Sequence, residues 1–500
     1  MHRLVAAMLV LLCCCCLFLA THAQAQQQQL QPAAGGNRAS PSCIPHERDA
    51  LLAFKHGVTG DPAGRLDSWR RDGEQDCCWW RGVRCSNQTG HVHELRLPST
   101  GEVEAAMDGQ ISPSLLALDH LEHLDLSGNI LEGPTGQILE FLGSLKSLTY
   151  LNLSGIPFYG GVAPQLGNLS KLQYLDLFST YMFGTNSTDL SWLTHLPSIQ
   201  YLNLNQVNLS TVVDWPHVMN MLPSLRVLRL SGCDIASANQ SLPHLNLTNL
   251  EELDASGNSF DHPMVTSWFW NITSLRYLYL HHTSMYGQFP DALGDMTSLQ
   301  VLDLSNIYNY NNDEKYRIKT TDLKNLCNLE VLNLQSALLY GDITELFWNK
   351  LPRCSHNKLQ ELDLSRNKLT GMLPRWLGQL TSLVVLNLGG NNITGSLPPS
   401  IGKFTSLQTL DLSCNNLNGH VPYEIGKLSN LTDLDPSRNK LDGMITEEHF
   451  ASARSLKYID LSYNSLKIEL SSDWKPPYKL DFVNFASCQM GPLFPGWLHF

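Results

Sequence analysis

Hydrophobic and polar positions share one repeating frame, L-x-x-L-x-L, from Leu95 to the end of the chain. Its first strand leucine falls at Leu95, Leu124, Leu151, Leu175, Leu202, Leu228, Leu253, Leu278, Leu302, Leu332, Leu362, Leu386, Leu410, Leu434, Ile459 and Val483, roughly 24 to 30 residues apart. In Leu124-Asp125-Leu126 or Leu410-Asp411-Leu412 the period is two, which predicts a short strand with its leucines inward and the intervening residue outward. About 16 such strands, spaced about 4.8 Å apart, would make one curved parallel sheet roughly 70 Å long.

The polar positions are as regular as the leucines. Five residues after the strand leucine stand Asn129, Asn258, Asn367, Asn391, Asn415, Asn439 and Asn464, whose amides can bond the peptide groups of a turn and its neighbour. Cys233 and Cys488 occupy the same offset and read as buried thiols standing in for Asn, without chemistry of their own. Further round the coil, Leu369-Thr370-Gly371-Met372-Leu373-Pro374, Ile393-Thr394-Gly395-Ser396-Leu397-Pro398 and Leu417-Asn418-Gly419-His420-Val421-Pro422 repeat an L-x-G-x-L-P turn. Tyr286-Gly287-Gln288-Phe289-Pro290 is a looser copy.

This repeat, L-x-x-L-x-L-x-x-N-x-L-x-G-x-I-P, resembles that of plant extracellular leucine-rich-repeat receptors of the receptor-like-protein type, over roughly four fifths of the chain. Ahead of it lie Glu47-Arg48-Asp49-Ala50-Leu51-Leu52-Ala53-Phe54-Lys55, then Leu66-Asp67-Ser68-Trp69, then Cys77-Cys78-Trp79-Trp80-Arg81-Gly82-Val83-Arg84-Cys85, similar to that family's amino-terminal cap. Leu51, Phe54 and Val58 would lie on one face of a cap helix, with Trp79 and Trp80 packed on it. The resemblance implies pairing Cys43 with Cys77 and Cys78 with Cys85, and a third bridge between Cys327 and Cys354 around the longer repeat from Leu332. Cys414 is left as a free thiol, and a metal held by the cap cysteines is disfavoured because no second CxxC is present.

The expected fold is an α/β repeat solenoid, a right-handed leucine-rich-repeat superhelix with a parallel inner sheet and a disulfide-capped helical N-terminal cap. The expected organisation is a signal peptide over 1–25, a polar linker over 26–42, the cap over 43–92, and about 16 repeats over 93–500, the last incomplete. Arg3, the apolar run Val5 to Ala20 and Ala23-Gln24-Ala25 form the secretory signal, too short and wrongly flanked for a membrane anchor. No other run in the given chain is apolar enough to span a membrane. Tyr308 to Tyr316 reads as an inserted surface loop. The chain stops at Phe500 in mid-repeat, beyond Gly491-Pro492-Leu493-Phe494-Pro495-Gly496-Trp497, with no closing cap, as expected of a chain that is incomplete relative to this family.

Charge and composition exclude some functions. A formal charge of -12 argues against nucleic-acid partners. Ten Asn-x-Ser/Thr acceptors, at Asn87, Asn152, Asn168, Asn186, Asn208, Asn239, Asn246, Asn271, Asn392 and Asn430, agree with passage through an oxidising secretory compartment. Of these, Asn152 lies between two strand leucines, where a glycan would cover the inner sheet, and is expected to be poorly occupied. No G-x-S-x-G, H-E-x-x-H, phosphate-binding Gly-rich loop or kinase signature occurs, and Asp363, Asp411, Asp435 and Asp460 belong to the repeat rather than to a catalytic pair. His91-Val92-His93 enters the first repeat and reads as structural. No catalytic, metal or cofactor-binding residue is assigned.

Candidate ligand-binding residues come from the outward columns of the strands. The column before the leucine reads His123, Tyr150, Tyr174, Tyr201, aromatics with polar tips that suit recognition or simply stack on one another. Arg226, Glu251 and Arg276 form a self-paired charged column, and Arg229 is expected to pair with Asp254. Tyr277, Tyr279, His281 and His282 have no such partners in sequence and are the stronger candidates. The two histidines diverge too sharply for metal ligation, but at wall pH their charge would make binding pH-sensitive.

The resemblance implies an ectodomain that senses a peptide, microbial protein or wall fragment and signals with a receptor-kinase co-receptor, in defence or peptide signalling. Its place would be the outer face of the plasma membrane, or the apoplast if the chain truly ends at Phe500. The other class is a secreted inhibitor of a microbial wall-degrading enzyme, or a truncated decoy receptor.

Overall fold

A computed structural model describes residues 42–71, 76–99, 103–133, 138, 140–179, 184–238, 242–307, 323–349, 354, 358–471 and 474–491. All belong to the unit Ser42–Phe500. The signal segment, the linker up to residue 41, the Tyr308 to Tyr316 insertion, the Asn239 acceptor and residues 492–500 lie outside the described residues.

The cap begins with helix α1, Pro45–Gly57, opened by a proline whose missing N–H costs nothing at a helix start. Its inner face buries Leu51 and Phe54 completely. Val58 is not on this helix: it starts the strand Val58–Gly60, which runs antiparallel to Asp108–Gln110. Trp69 and Trp80 stack at 5.5 Å and are buried, whereas Trp79 is 76% exposed and so is not packed on α1 as the sequence suggests. Adjacent residues at a turn diverge, so only Trp80 of the pair is buried; it stacks on Trp69, whose ring lies 6.2 Å from that of Phe54 on α1. Bridges join Cys43 to Cys77 and Cys78 to Cys85, and Asp76 accepts the backbone N–H groups of Cys43 and Cys78. Glu47, fully buried, accepts the Val92 N–H at 2.8 Å and faces His91 Nδ1 at 2.8 Å, tying α1 to the first coil.

From the cap strand Val83–Cys85 an antiparallel pairing leads to Val92–Arg96, after which every neighbour is parallel. The pairings then run coil by coil to Phe482–Asn484, giving one cap strand and sixteen coil strands among the described residues. The register is set by the leucines: Leu95 opposes Leu124, Leu124 opposes Leu151, and so on to Ile459 opposite Val483. A slip of one residue would turn every leucine outward. Each buried leucine contributes roughly 1.5–3 kcal/mol, which makes any other register prohibitive.

Outside the inner strands the coils carry short 3-10 turns such as Pro164–Asn168 and Tyr423–Lys427, short α-helices at Trp215–Asn220 and Ile343–Asn349, and small side sheets such as Thr394–Gly395 beside Asn416–His420. The core is one continuous leucine-rich cluster from Ala50 to Ile468. The third bridge joins Cys327 to Cys354. Among the described residues no helix is long and apolar enough to cross a membrane.

Candidate functional site

Three columns of polar or aromatic residues run from coil to coil, and each obeys a local rule. The first is the asparagine column inside the turn. Asn258 donates to the carbonyls of Leu230 (2.8 Å) and Ala255 (2.9 Å), while its Oδ1 accepts from Cys233 N (3.1 Å) and Ile235 N (3.0 Å). Cys233 and Cys488 stand in the same place and send their thiols to the carbonyls of Leu204 and Leu461 at 3.1 and 3.3 Å. Burial raises both thiols, that of buried Cys233 more than that of half-buried Cys488, and so favours their protonated form. Cys414 is not in this column: it is exposed and lies in the left-handed position of its turn.

The second column follows the strand leucine. Asp125, Asn152, Asp176, Asn203, Asp254, Asp303, Asn333, Asp363, Asn387, Asp411, Asp435, Asp460 and Asn484 each accept the backbone N–H two residues on. These aspartates therefore shape the turn. Three coils depart from the rule. Arg96 is followed by Pro98, which has no N–H to satisfy; at Arg229 the Ser231 N–H is taken by Asn205 Oδ1 at 2.7 Å; Tyr279 lacks the short carboxylate or amide oxygen that the other coils place there.

The third column is the aromatic one. His123, Tyr150, Tyr174 and Tyr201 stack ring on ring, with centroids 3.9, 4.1 and 4.1 Å apart and planes within 11°. The facing ring surfaces within the stack are therefore covered by one another, which leaves edges and hydroxyls as the parts of Tyr150 and Tyr174 open to a ligand. The Tyr174 and Tyr201 hydroxyls donate to Asp176 Oδ2 at 3.3 and 3.4 Å, joined by Asn203 Nδ2 at 3.1 Å. Burial raises the Asp176 carboxyl despite these donors, and burial beside Asp176 pushes Tyr201 up to about 12.

The stack ends at Arg229. Its guanidinium sits 5.5 Å from the Tyr201 centroid, donates to the Tyr201 hydroxyl at 3.2 Å, and donates through Nε to Glu252 at 2.7 Å. The ion partner is thus Glu252 and not Asp254, because the long side chain leans along the strand while Asp254 holds its own turn. Burial works against the Arg229 charge, but Glu252, Tyr201 and Asp254 outweigh it and raise its pKa. Arg226 and Arg276 share Glu251, at 2.6 and 3.6 Å, as the sequence column implies.

Tyr277, Tyr279, His281 and His282 gather on the coil of Tyr277–Tyr279, but they are not unpartnered. Arg276 lies 5.5 Å over the Tyr277 ring, and His281 Nδ1 faces Asp303 Oδ2 at 3.6 Å, an ion-pair distance beyond a direct hydrogen bond. Burial lowers His281, yet Asp303 and Asp254 more than compensate and raise it, while burial and His281 hold His282 down. The two imidazoles stand at 80° to each other, consistent with their diverging directions. The partners were illegible in sequence because His281 finds Asp303 one coil away, across a strand boundary.

The glycan acceptors Asn87, Asn168, Asn186, Asn246, Asn271, Asn392 and Asn430 are exposed, while Asn152 and Asn208 are half-buried. The four grouped ligand atoms of Cys43, Asp76, Cys77 and Cys78 belong to the cap bridges, which leaves no thiolate for a metal.

The fold and its columns define a capped leucine-rich-repeat protein, and comparison with known proteins narrows this. Residues 44–86 match the leucine rich repeat N-terminal domain, and residues 120–145, 355–393 and 405–466 match leucine rich repeat families. The chain is 37% identical to Receptor-like protein EIX1 of Solanum lycopersicum over 93% of its own length and 49% of that protein. It is 38% identical to Receptor-like protein EIX2 of the same plant, over 91% of itself and 48% of that protein. The chain therefore belongs to the plant leucine-rich-repeat receptor-like proteins, and it spans about half the length of these curated relatives. The same fold is seen in a TDR receptor (TM-score 0.63, 23% identity, 83% of this chain and 71% of that one). It recurs in the Arabidopsis receptor kinase HAESA ectodomain bound to an IDA peptide hormone (TM-score 0.57, 23% identity, 89% and 86%).

Proposed function

We propose that this chain is the ligand-recognising, extracellular part of a receptor-like protein, and that it recognises a peptide, microbial protein or wall fragment with its inner sheet. The observation that carries this reading is the second column: thirteen outward residues are committed to turns, and the coils that break the pattern place Arg229 and Tyr279 on the inner face. Tyr279 breaks the turn rule and is therefore a candidate for binding, while Arg229, held by Tyr201 and Glu252, lies on the same face. Relatives that are receptor-like proteins, three bridges and exposed glycan acceptors support an extracellular or cell-surface setting.

The role is binding rather than catalysis, with signalling passed to a receptor-kinase co-receptor in defence or peptide perception. The signal peptide over 1–25, linker over 26–42, cap over 43–92 and repeats over 93–500 belong to the same reading. The ligand-binding surface includes the hydroxyl edges of Tyr150, Tyr174 and Tyr201 and the coil of Tyr277, Tyr279, His281 and His282.

Selection of random peptides on the secreted chain, followed by amide hydrogen exchange with an enriched peptide, tests the reading. Protection over the strands from Tyr201 to Asp303 is expected. Protection confined to the outer 3-10 turns, or equal capture by a Tyr279→Asn, Arg229→Asn double variant, counts against it.

A further inference from the structure

Beside the inner sheet, between the coils of Leu202 and Leu278, lies a cleft of about 320 Å³ lined by Gln206, Asn208, Ser231, Gly232, Asp234, Gly257, His281 and His282. Gln206, Gly232, Gly257 and His282 hold one equivalent turn position on four successive coils, all in the left-handed region (φ 54° to 64°). The two glycines form the floor, and the side chains at either end form the walls. A Cβ at Gly232 would meet Gln206 Nε2 at 2.2 Å, so the floor cannot be raised without moving a wall.

One wall is supplied by the coil that departs most from the repeat. Tyr279 gives up the turn-forming acceptor, His281 replaces the serine found at that place on the coils before and after (Ser256 and Ser305), and His282 takes a left-handed position that the two preceding coils give to glycine. Losing the turn acceptor at Tyr279 works against the local turn, whereas the left-handed position of His282 is one that Gln206, Asn306, Arg366, Cys414, Arg438 and Tyr463 also hold on their own coils. His281 and His282 line the cleft, and Tyr279 lies on the strand that leads to them.

We propose that this cleft is a binding subsite for a neutral saccharide. The lining has no apolar side chain, so it offers no anchor for a hydrophobic peptide residue. It offers amides, a hydroxyl, imidazoles and one carboxylate, the mixed donors and acceptors that a ring of hydroxyls requires. The Asp234 carboxylate at the rim disfavours an acidic sugar. Two sources can supply the same chemistry. One is a free oligosaccharide; the other is the chain's own glycan on Asn208, whose Nδ2 points at Asp234 (3.1 Å) and whose Oδ1 is held by Ser210 of its own acceptor sequence (2.7 Å). The inference rests on the extracellular reading above, but not on the identity of the inner-sheet ligand.

The test uses the secreted full chain. Mass spectrometry first reads occupancy of Asn208. If Asn208 is bare, cellotetraose or chitotetraose binds by calorimetry, and His282→Gly or Asp234→Asn weakens that binding about tenfold or more without lowering Tm. If Asn208 is glycosylated, an endoglycosidase releases that glycan from the native chain about tenfold more slowly than the glycan on exposed Asn271, and His282→Gly abolishes the difference. A bare Asn208 with neither tetrasaccharide bound, or an Asn208 glycan released as fast as that on Asn271, overturns the proposal. Peptide capture by the inner sheet is measured separately, so either reading can fail alone.

Discussion

The thiol of Cys233 lies 3.1 Å from the carbonyl oxygen of Leu204, the place that the Asn258 amide fills one coil later by donating to Leu230 at 2.8 Å. A weak sulfur donor thus substitutes for an amide in a column that closes buried peptide groups.

Asn258→Ala should therefore cost roughly 2–4 kcal/mol, because buried carbonyls and N–H groups lose their partners. Asn258→Cys should cost less, and Cys233→Asn should be tolerated. Thermal unfolding of the three variants gives the order; equal Tm losses for the alanine and cysteine variants would contradict it.

Arg229 and Glu252 are expected to couple. Both side chains are partly solvent-exposed, which discounts the pair to about 1 kcal/mol in a double-mutant cycle of Arg229→Met and Glu252→Gln. Arg229→Met alone should cost more than Glu252→Gln alone, since it also removes the donor to Tyr201. A coupling energy of zero would show that solvent screens the pair fully.

Acid should stabilise the carboxylate-rich end of the inner sheet. Burial, then repulsion from Asp411 and Asp460, raises the Asp435 carboxyl, and burial raises Asp363 similarly. A carboxyl raised in the folded state binds more protons there than in the unfolded chain, so stability falls as pH rises through the raised pKa. Asp435→Asn keeps an acceptor for Ser437 N and removes the penalty, so it should raise Tm near pH 7 and lose that advantage below about pH 4. An advantage that persists in acid would assign the gain to packing instead.

Cys327 and Cys354 close a loop of 27 residues. Loop-closure entropy predicts a loss of about 3.5 kcal/mol for Cys354→Ser, read as a lower unfolding temperature for the secreted chain. A Tm matching that of the unaltered chain would mean that the longer coil is held by packing alone.

Glycan occupancy should divide by position. Asn152 sits on the inner strand with its Oδ1 engaged by Ser154 N and Oγ at 3.0 and 2.7 Å, whereas Asn168, Asn271 and Asn430 are exposed. Peptide mass spectrometry should find the last three occupied and Asn152 nearly bare. Full occupancy of Asn152 would move recognition away from that part of the sheet.

Much of this was legible in the chain itself. The leucine spacing determined every strand of the inner sheet from Leu95 to Val483 and their mutual register, because burying an alternating apolar face leaves one solution. The cysteine and tryptophan motifs located the cap, and the asparagine offset explained Cys233 and Cys488, because repeat position dictates environment. Only the tertiary structure decided which side chains meet between coils. Arg229 reaches Glu252 instead of Asp254, His281 finds Asp303, Trp80 is buried while Trp79 is not, and two glycines open a cleft beside His282. Column order in sequence specifies which backbones are neighbours, but the lean of long side chains and the competition of each aspartate for its own turn are settled only in three dimensions.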